Sequence, residues 1–371
     1  MSFRFMRRLV VPLFLLISIG VMAQSEQDNA PIFLWVRGDL WRVDPADLTA
    51  APEQITEGGT ISAPVLSPDG DWIAYKAAAQ VGIEALDRLE TEGLIADFDL
   101  PSDLFVLNVV TGESRPLVGQ PENPSLFVDG VPDRATSRSA PVWSPDGTTL
   151  AWAQIDFGSP QAALVILNRE TMNGISAPIT MEVFGIPPNI VWQGETISVW
   201  LTLPTGITHV ERFTAEGIPT ELMEIPQESI GGSIEGFYEL SGRTLILNDQ
   251  GEWREIFADA SSGVVPSPML TVAGAENAYR IGFGHVAETG FFWEAFDPLT
   301  PDATSVAFPG VPARVTLSPD GRSIAFLGFP EFGAAAIYRD GELFTIPNTG
   351  DDAAKLNVGA ILWGTPIWLS Q

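Results

Sequence analysis

The chain of 371 residues contains no cysteine. Disulfides, cysteine-ligated zinc and thiol catalysis are therefore excluded together. Lysine occurs only at Lys76 and Lys355, and histidine only at His209 and His285. Against 19 Lys and Arg stand 47 Asp and Glu, for a formal net charge of −28. So acidic a surface argues against binding DNA, RNA or anionic membranes. Solubility is the plainer reading of the charge. The apolar stretch Leu9–Met22 falls short of the roughly 20 residues that an ordinary membrane span needs. There is also no Gly-rich phosphate loop in a strand-to-helix setting and no basic aromatic patch.

What that apolar stretch does suit is export. Arg4, Arg7 and Arg8 precede it, and Val21 and Ala23 are small residues at the positions a signal peptidase reads. Residues 1–23 are expected to be a signal peptide cleaved after Ala23, with a retained anchor as the alternative. A bacterial lipoprotein is excluded, because no Cys follows. Residues 24–30 then form a polar start, and 31–371 have the size of one large domain.

The most informative feature is a phrase that recurs. It reads Ala63-Pro64-Val65-Leu66-Ser67-Pro68-Asp69-Gly70, then Ala140-Pro141-Val142-Trp143-Ser144-Pro145-Asp146-Gly147, and more loosely Arg314-Val315-Thr316-Leu317-Ser318-Pro319-Asp320-Gly321. A short apolar run follows each copy. Proline presets φ for a turn, Ser and Asp accept backbone N–H bonds, and Gly tolerates the positive φ that closes it. Each copy thus predicts a hairpin, and repeated hairpins predict a repeat architecture. Nothing in the phrase supplies a base or a metal partner, so a structural role is expected for its Ser and Asp residues.

The phrase resembles the Ser-Pro-Asp-Gly signature of WD40-like, TolB-type β-propeller repeats. That resemblance implies one four-stranded blade per repeat, with the turn joining the innermost strand to its neighbour. It implies little about activity. Turns of this kind are expected near residues 67, 144, 193, 241, 286, 318 and 364, mostly at the roughly 40–50-residue spacing of a blade. The interval from 286 to 318 is short, which points to a lost strand or a misplaced boundary. Residues 32–56 read as the outer strands of an incomplete blade, which a closing hairpin at 360–369 would complete. Seven blades result, although six and eight also fit the spacing.

Two long connections interrupt the pattern. Residues 78–101 form an acidic insertion in which Ile83, Leu86, Leu89 and Leu94 alternate with charged residues, as in a short amphipathic helix. Residues 119–137 form a loop rich in Pro, Gly and Asp. Long loops on a closed β-scaffold are where function usually sits, so these two are the candidate contact region.

Candidate chemistry is thin. A hydrolytic triad needs a His beside a nucleophile and an acid. His209 begins a strand after Gly206-Ile207-Thr208, and His285 lies in Gly282-Phe283-Gly284-His285. Both read as structural or solvent-facing. Peptidases of the prolyl oligopeptidase type also carry propellers, but they need a Gly-x-Ser-x-Gly elbow, which is absent. Asp97, Asp99 and Asp103, with Glu90 and Glu92 before them, could hold Ca²⁺ through oxygen ligands, although they do not match an EF-hand loop. A solvated acidic loop is the plainer reading. Trp72, Trp143, Trp152, Trp200, Trp363 and Trp368 fall in predicted strands and are expected to pack blade against blade.

The expectation is thus an all-β chain forming one propeller of four-stranded antiparallel blades, closed by its own terminal strands. It would be a secreted or periplasmic monomer that is not an enzyme, needs no cofactor and binds another envelope or extracellular protein. A carbohydrate-binding or carbohydrate-active propeller, with paired acids in its central channel, is the alternative. No catalytic, cofactor or metal residue is assigned.

Overall fold

A computed structural model describes residues 31–362 and 367–368, except 37, 93–98, 160, 182–184, 241, 272–276, 287–289, 298, 300–305, 310–314, 328–334, 340 and 346–357. The expected signal segment, and Asp97 and Trp363 with it, lie outside the described residues.

The strands group into seven antiparallel sheets, each a blade. Blade one takes β1 (Ile32–Val36), β2 (Asp39–Val43) and β3 (Glu53–Gln54) from the start of the chain. Blade two is β4 (Ile61–Leu66), β5 (Trp72–Ala78), β6 (Ser102–Asn108) and β7 (Ser114–Val118), with helix α1 (Gln80–Thr91) between β5 and β6. Blade three is β8 (Thr136–Arg138), β9 (Val142–Trp143), β10 (Thr149–Asp156), β11 (Ala162–Asn168) and β12 (Gly174–Ile179). Blade four is β13 (Asn189–Gln193), β14 (Thr196–Thr202), β15 (Thr208–Thr214) and β16 (Pro219–Ile225). After the short helix α2 (Gln227–Ile230), blade five is β17 (Ile234–Leu240), β18 (Arg243–Asn248), β19 (Trp253–Ile256) and β20 (Ser262–Val265). Blade six is β21 (Leu270–Thr271), β22 (Arg280–Val286), β23 (Gly290–Phe296) and β24 (Val306–Pro309). Blade seven is β25 (Val315–Leu317), β26 (Ser323–Leu327), β27 (Ala335–Arg339) and β28 (Glu342–Thr345).

The ring closes as the sequence suggests, but only by half of the expected hairpin. Strand β29 (Val358–Leu362) pairs with β1 and supplies the inner strand of blade one, with Phe33 opposite Leu362 and Leu34 opposite Ile361. Strand β30 (Ile367–Trp368) instead pairs with β21, beyond the inner strand of blade six. The turn expected near 286 is also displaced. Residues 286–290 join β22 to β23, whereas the inner turn of blade six falls between β21 and β22. The short interval thus came from a misplaced boundary. It was hard to see because β21 has only two residues.

All three signature turns share one set of bonds. In the second, the Ser144 hydroxyl donates to Asp146 Oδ1 (2.6 Å), while the Thr149 and Thr148 N–H groups donate to Ser144 Oγ (3.0 Å) and Asp146 Oδ1 (3.0 Å). Ser67 and Ser318 donate likewise to Asp69 and Asp320. Gly70, Gly147 and Gly321 hold φ of 78°, 72° and 68°, a region costly for residues with a Cβ. Each serine is buried. The residues of the phrase are consumed by the turn.

Ahead of each of the first two turns, the Ala-Pro pair breaks the inner strand. Its register with β5 shifts between Ser62 and Val65, and the inner strand of blade three is split into β8 and β9 around Ala140-Pro141. Proline cannot donate to a ladder, so a bulge forms there.

The core lies mostly between blades. Trp143 donates its indole N–H to the Val65 carbonyl of blade two (3.1 Å), and Trp200 of blade four stacks on Phe237 of blade five with centroids 5.7 Å apart. Trp72 lies under the guanidinium of Arg169 from blade three, 4.6 Å from its ring centre. These three tryptophans do join blades. Trp152, 2% exposed, is buried within blade three's packing against blade two.

The Ser144 and Thr148 bonds also hold the Asp146 carboxyl below the usual carboxylate range. A lowered folded value contributes stability that is complete above the unfolded pKa and is lost as pH falls through the folded one. Asp146→Ala should therefore cost about 1 kcal/mol at neutral pH, the scale of a lost side-chain cap, and less in acid. Urea unfolding at pH 7 and pH 3 checks both.

Candidate functional site

Each blade is a meander, so the connections alternate between two faces of the ring. The signature turns lie on one face. Helix α1 joins the second strand of blade two to its third, and residues 119–135 join blade two to blade three. Both connections belong to the opposite face. They meet there and form one cap.

The contact is a small core of its own, made of Ala79, Val81 and Ala85 with Leu126 and Ala135, against which Phe157 packs. The buried stripe of α1 is thus Val81, Gly82 and Ala85, while Ile83, Leu86 and Leu89 are half-buried. Small residues win the inner face because the helix sits close to the chain: a Cβ on Gly82 would lie 2.8 Å from Pro101 Cδ. Arg88 Nη2 donates to the Leu126 carbonyl (2.6 Å) and ties the two connections together. The insertion is therefore built into the fold. Excising it would uncover Leu126 and Ala135.

Beneath the cap lies a polar layer centred on Arg138, which is 3% exposed. It donates through Nη1 to the Ser102 carbonyl and through Nη2 to the Gly119 carbonyl (2.9 Å). Burial pushes its guanidinium down to about 10, against the opposing pull of Asp103 and Asp156, so it stays charged at neutral pH. Gln120 bridges the Ser102 carbonyl, Asp103 and both backbone groups of Thr136. Lys76 Nζ donates to Asp99 (2.8 Å) and to the Arg138 carbonyl (3.0 Å). The Ser137 hydroxyl also reaches Asp99 (3.2 Å).

Asp99 and Asp103, read from the sequence as part of a solvated acidic loop, thus each face a cation or an amide. Their spacing could not reveal this, because their partners lie far along the chain. Among the described residues no group of three or more His, Asp and Glu is placed to hold a metal. His209 lies half-buried across the β15–β16 ladder from Glu224, with Nε2 3.6 Å from Oε1. His285 sits opposite Phe291 in β22, and its side chain lies outside the described residues.

Above this layer the loop displays apolar side chains. Phe127, Val128 and Val131 are 43%, 41% and 46% exposed. The loop that carries them is held in shape: Ser125 and Arg134 exchange backbone bonds (3.2 and 2.7 Å), and Asp133 accepts the Phe127 N–H (2.8 Å). Phe127 is set edge-on against Phe157, with centroids 6.0 Å apart, and takes a positive φ of 51°. Glu84 and Asp87 of α1 and Glu122, Asp129 and Arg134 of the loop are also exposed. No sequence signal marked this patch beyond the length of its loop.

No family model and no curated protein matches the chain. Solved structures do. TolB from Acinetobacter baumannii is 13% identical with a TM-score of 0.43, over 97% of this chain and 74% of that one. The chain is an all-β propeller of seven antiparallel blades. An oligogalacturonate lyase is 15% identical with a TM-score of 0.47, over 84% and 83% of the two chains. The acylaminoacyl peptidase of Pyrococcus horikoshii is 14% identical with a TM-score of 0.44, over 78% of this propeller and 46% of the peptidase.

These values transfer no activity to the propeller described here. They do correct the expectation that it is not an enzyme, because propellers similar to it include a lyase and peptidases. The missing nucleophile elbow excludes one hydrolase type only. No helix among the described residues is long and apolar enough to cross a membrane.

Replacing Arg138 with Met leaves the buried Gly119 carbonyl without its donor and the Ser102 carbonyl with Gln120 alone. The expected cost is about 2–3 kcal/mol, the scale of unsatisfied buried polar groups. The loss should be shared by probes of the α1 cap and of blade three in hydrogen exchange.

Proposed function

We propose that this propeller is exported and docks a protein partner on the cap built from α1 and residues 119–135. The observation that carries this reading is the trio Phe127, Val128 and Val131, held out by a braced loop beside the exposed acids of α1. Exposed apolar side chains rimmed by charge are the anatomy of an interaction surface. A loop already fixed by its own hydrogen bonds has less conformational entropy to lose on binding. The acidic rim selects a partner whose apolar patch is bordered by Arg or Lys. The basic and apolar start of the chain, ending at Ala23, supports delivery outside the cytoplasm.

The double substitution Phe127→Asp and Val131→Asp should abolish capture of that partner from an envelope extract, with the melting temperature within a few degrees of the parent. Capture that survives would overturn the assignment of the cap. A basic-rimmed partner also predicts weaker capture as salt rises. A glycan that competes for capture would redirect the reading to carbohydrate.

A further inference from the structure

On the face that carries the signature turns, blades four and five leave a cleft of about 730 Å³. Its origin is visible in the turns. Blades two, three and seven fill this level with six-residue turns, from Ser67 to Trp72, Ser144 to Thr149 and Ser318 to Ser323. Blades four and five pair Gln193 with Thr196 and Leu240 with Arg243, leaving only two residues in each turn. The short turns expose a wall of strand that the long ones cover elsewhere.

The cleft is lined by Glu195, Glu221, Glu239 and Glu255 against Arg212 and Arg243, with Met223, Ile256 and Phe257 as its apolar part. Both arginines are committed. Arg212 donates to Glu239 through Nε and Nη2 (3.2 and 3.0 Å), to Thr244 (2.6 Å) and to Glu221. Burial works against its charge, but Glu239, with Glu221 behind it, outweighs burial and holds the guanidinium above its ordinary value. Arg243 forms a two-bond fork with Glu255 (2.9 and 2.8 Å). Oε1 of Glu239 takes a further bond from Ser198, and the Thr244 hydroxyl reaches both of its oxygens.

The groups left over are mostly acceptors. Among the described residues Glu195 makes no ion pair or hydrogen bond, and the second oxygen of Glu221 takes no bond from Arg212. Phe257, 44% exposed, stands at the margin. Four carboxylates against two guanidiniums leave the lining net negative, and that charge, with an aromatic ring at its margin, complements a donor-rich cation.

We propose that this cleft binds an organic cation, a guanidinium or alkylammonium group, held by Glu195 and Glu221 with its stem against Phe257. The group comes either from a free amine or from a basic side chain of a polypeptide. The site lies on the face away from the cap, so it does not rest on the docking proposed above.

Isothermal titration of the full propeller tests it with agmatine, with a blocked arginine amide and with neutral butylurea. Saturable binding of a cationic probe is expected, with none for butylurea and a decline as salt rises. Glu195→Gln and Glu221→Gln should each weaken binding about three- to tenfold, a loss of roughly 0.7–1.4 kcal/mol. Tighter binding of the blocked arginine assigns the site to a polypeptide side chain, and tighter binding of agmatine to a free amine. Because Glu221 also braces Arg212, the exposed Glu195 is the decisive variant. Equal binding of butylurea, unchanged affinity in Glu195→Gln, or no saturation at millimolar cation would overturn the proposal.

Discussion

A ring of sheets must leave no inner strand without a partner, and here that requirement falls on the pairing of β29 with β1. Without it, blade one is a three-stranded remnant with an open edge facing the channel. An open edge is an invitation to pair with another chain. The outer edges cannot be closed in this way, because each blade ends at solvent. They are blunted by composition instead. Pro116 stands in β7, Pro178 in β12, Pro219 in β16 and Pro309 in β24, all outermost strands. Proline withholds a donor where an incoming strand would need one.

Within the ring, carboxylates do structural work that the net charge conceals. Glu211 of blade four, 3% exposed, accepts both the backbone and hydroxyl donors of Thr180 after blade three (2.8 and 3.0 Å). Glu239 of blade five clasps Arg212 and Ser198 of blade four. Asp297 takes Arg322 across the junction of blades six and seven (3.1 Å), and Arg322 in turn covers the Tyr279 ring. Partly buried pairs of this kind are screened by salt far less than surface pairs. A chain so acidic can therefore hold its blades together through the charges that would otherwise drive them apart.

Legibility in the sequence followed the range of the interaction. The signature turns were readable because Ser67, Asp69 and Gly70 act within six residues, and the blade count followed from their spacing. A second local repeat was equally available and was overlooked. Asn108 and Asn168 each follow a leucine and accept backbone N–H bonds from a Thr three residues on, capping the outer turns of blades two and three. Blade six resisted because a two-residue inner strand has no period to detect. The cap and the cleft were illegible for a different reason. Arg138 meets Ser102 and Gly119, and Arg212 meets Glu239, only after blades are set side by side.

The two faces differ in what their turns leave available, and that difference organises the molecule. On the signature face, the six-residue turns bury Ser67, Ser144 and Ser318, and each turn's Asp is spent on its own serine and backbone. Chemistry can reach that face only where the signature is missing, and blades four and five adjoin there. On the opposite face there is no such phrase to constrain the connections, and one insertion has grown a helix with its own small core. The polar layer of Lys76, Asp99 and Arg138 fixes that cap to the ring, so a load taken at Phe127 is passed to blades two and three together. A surface braced in this way suits a partner that arrives over an area rather than a ligand that enters a hole. The cleft, walled by strands and lined by more carboxylates than guanidiniums, suits the reverse.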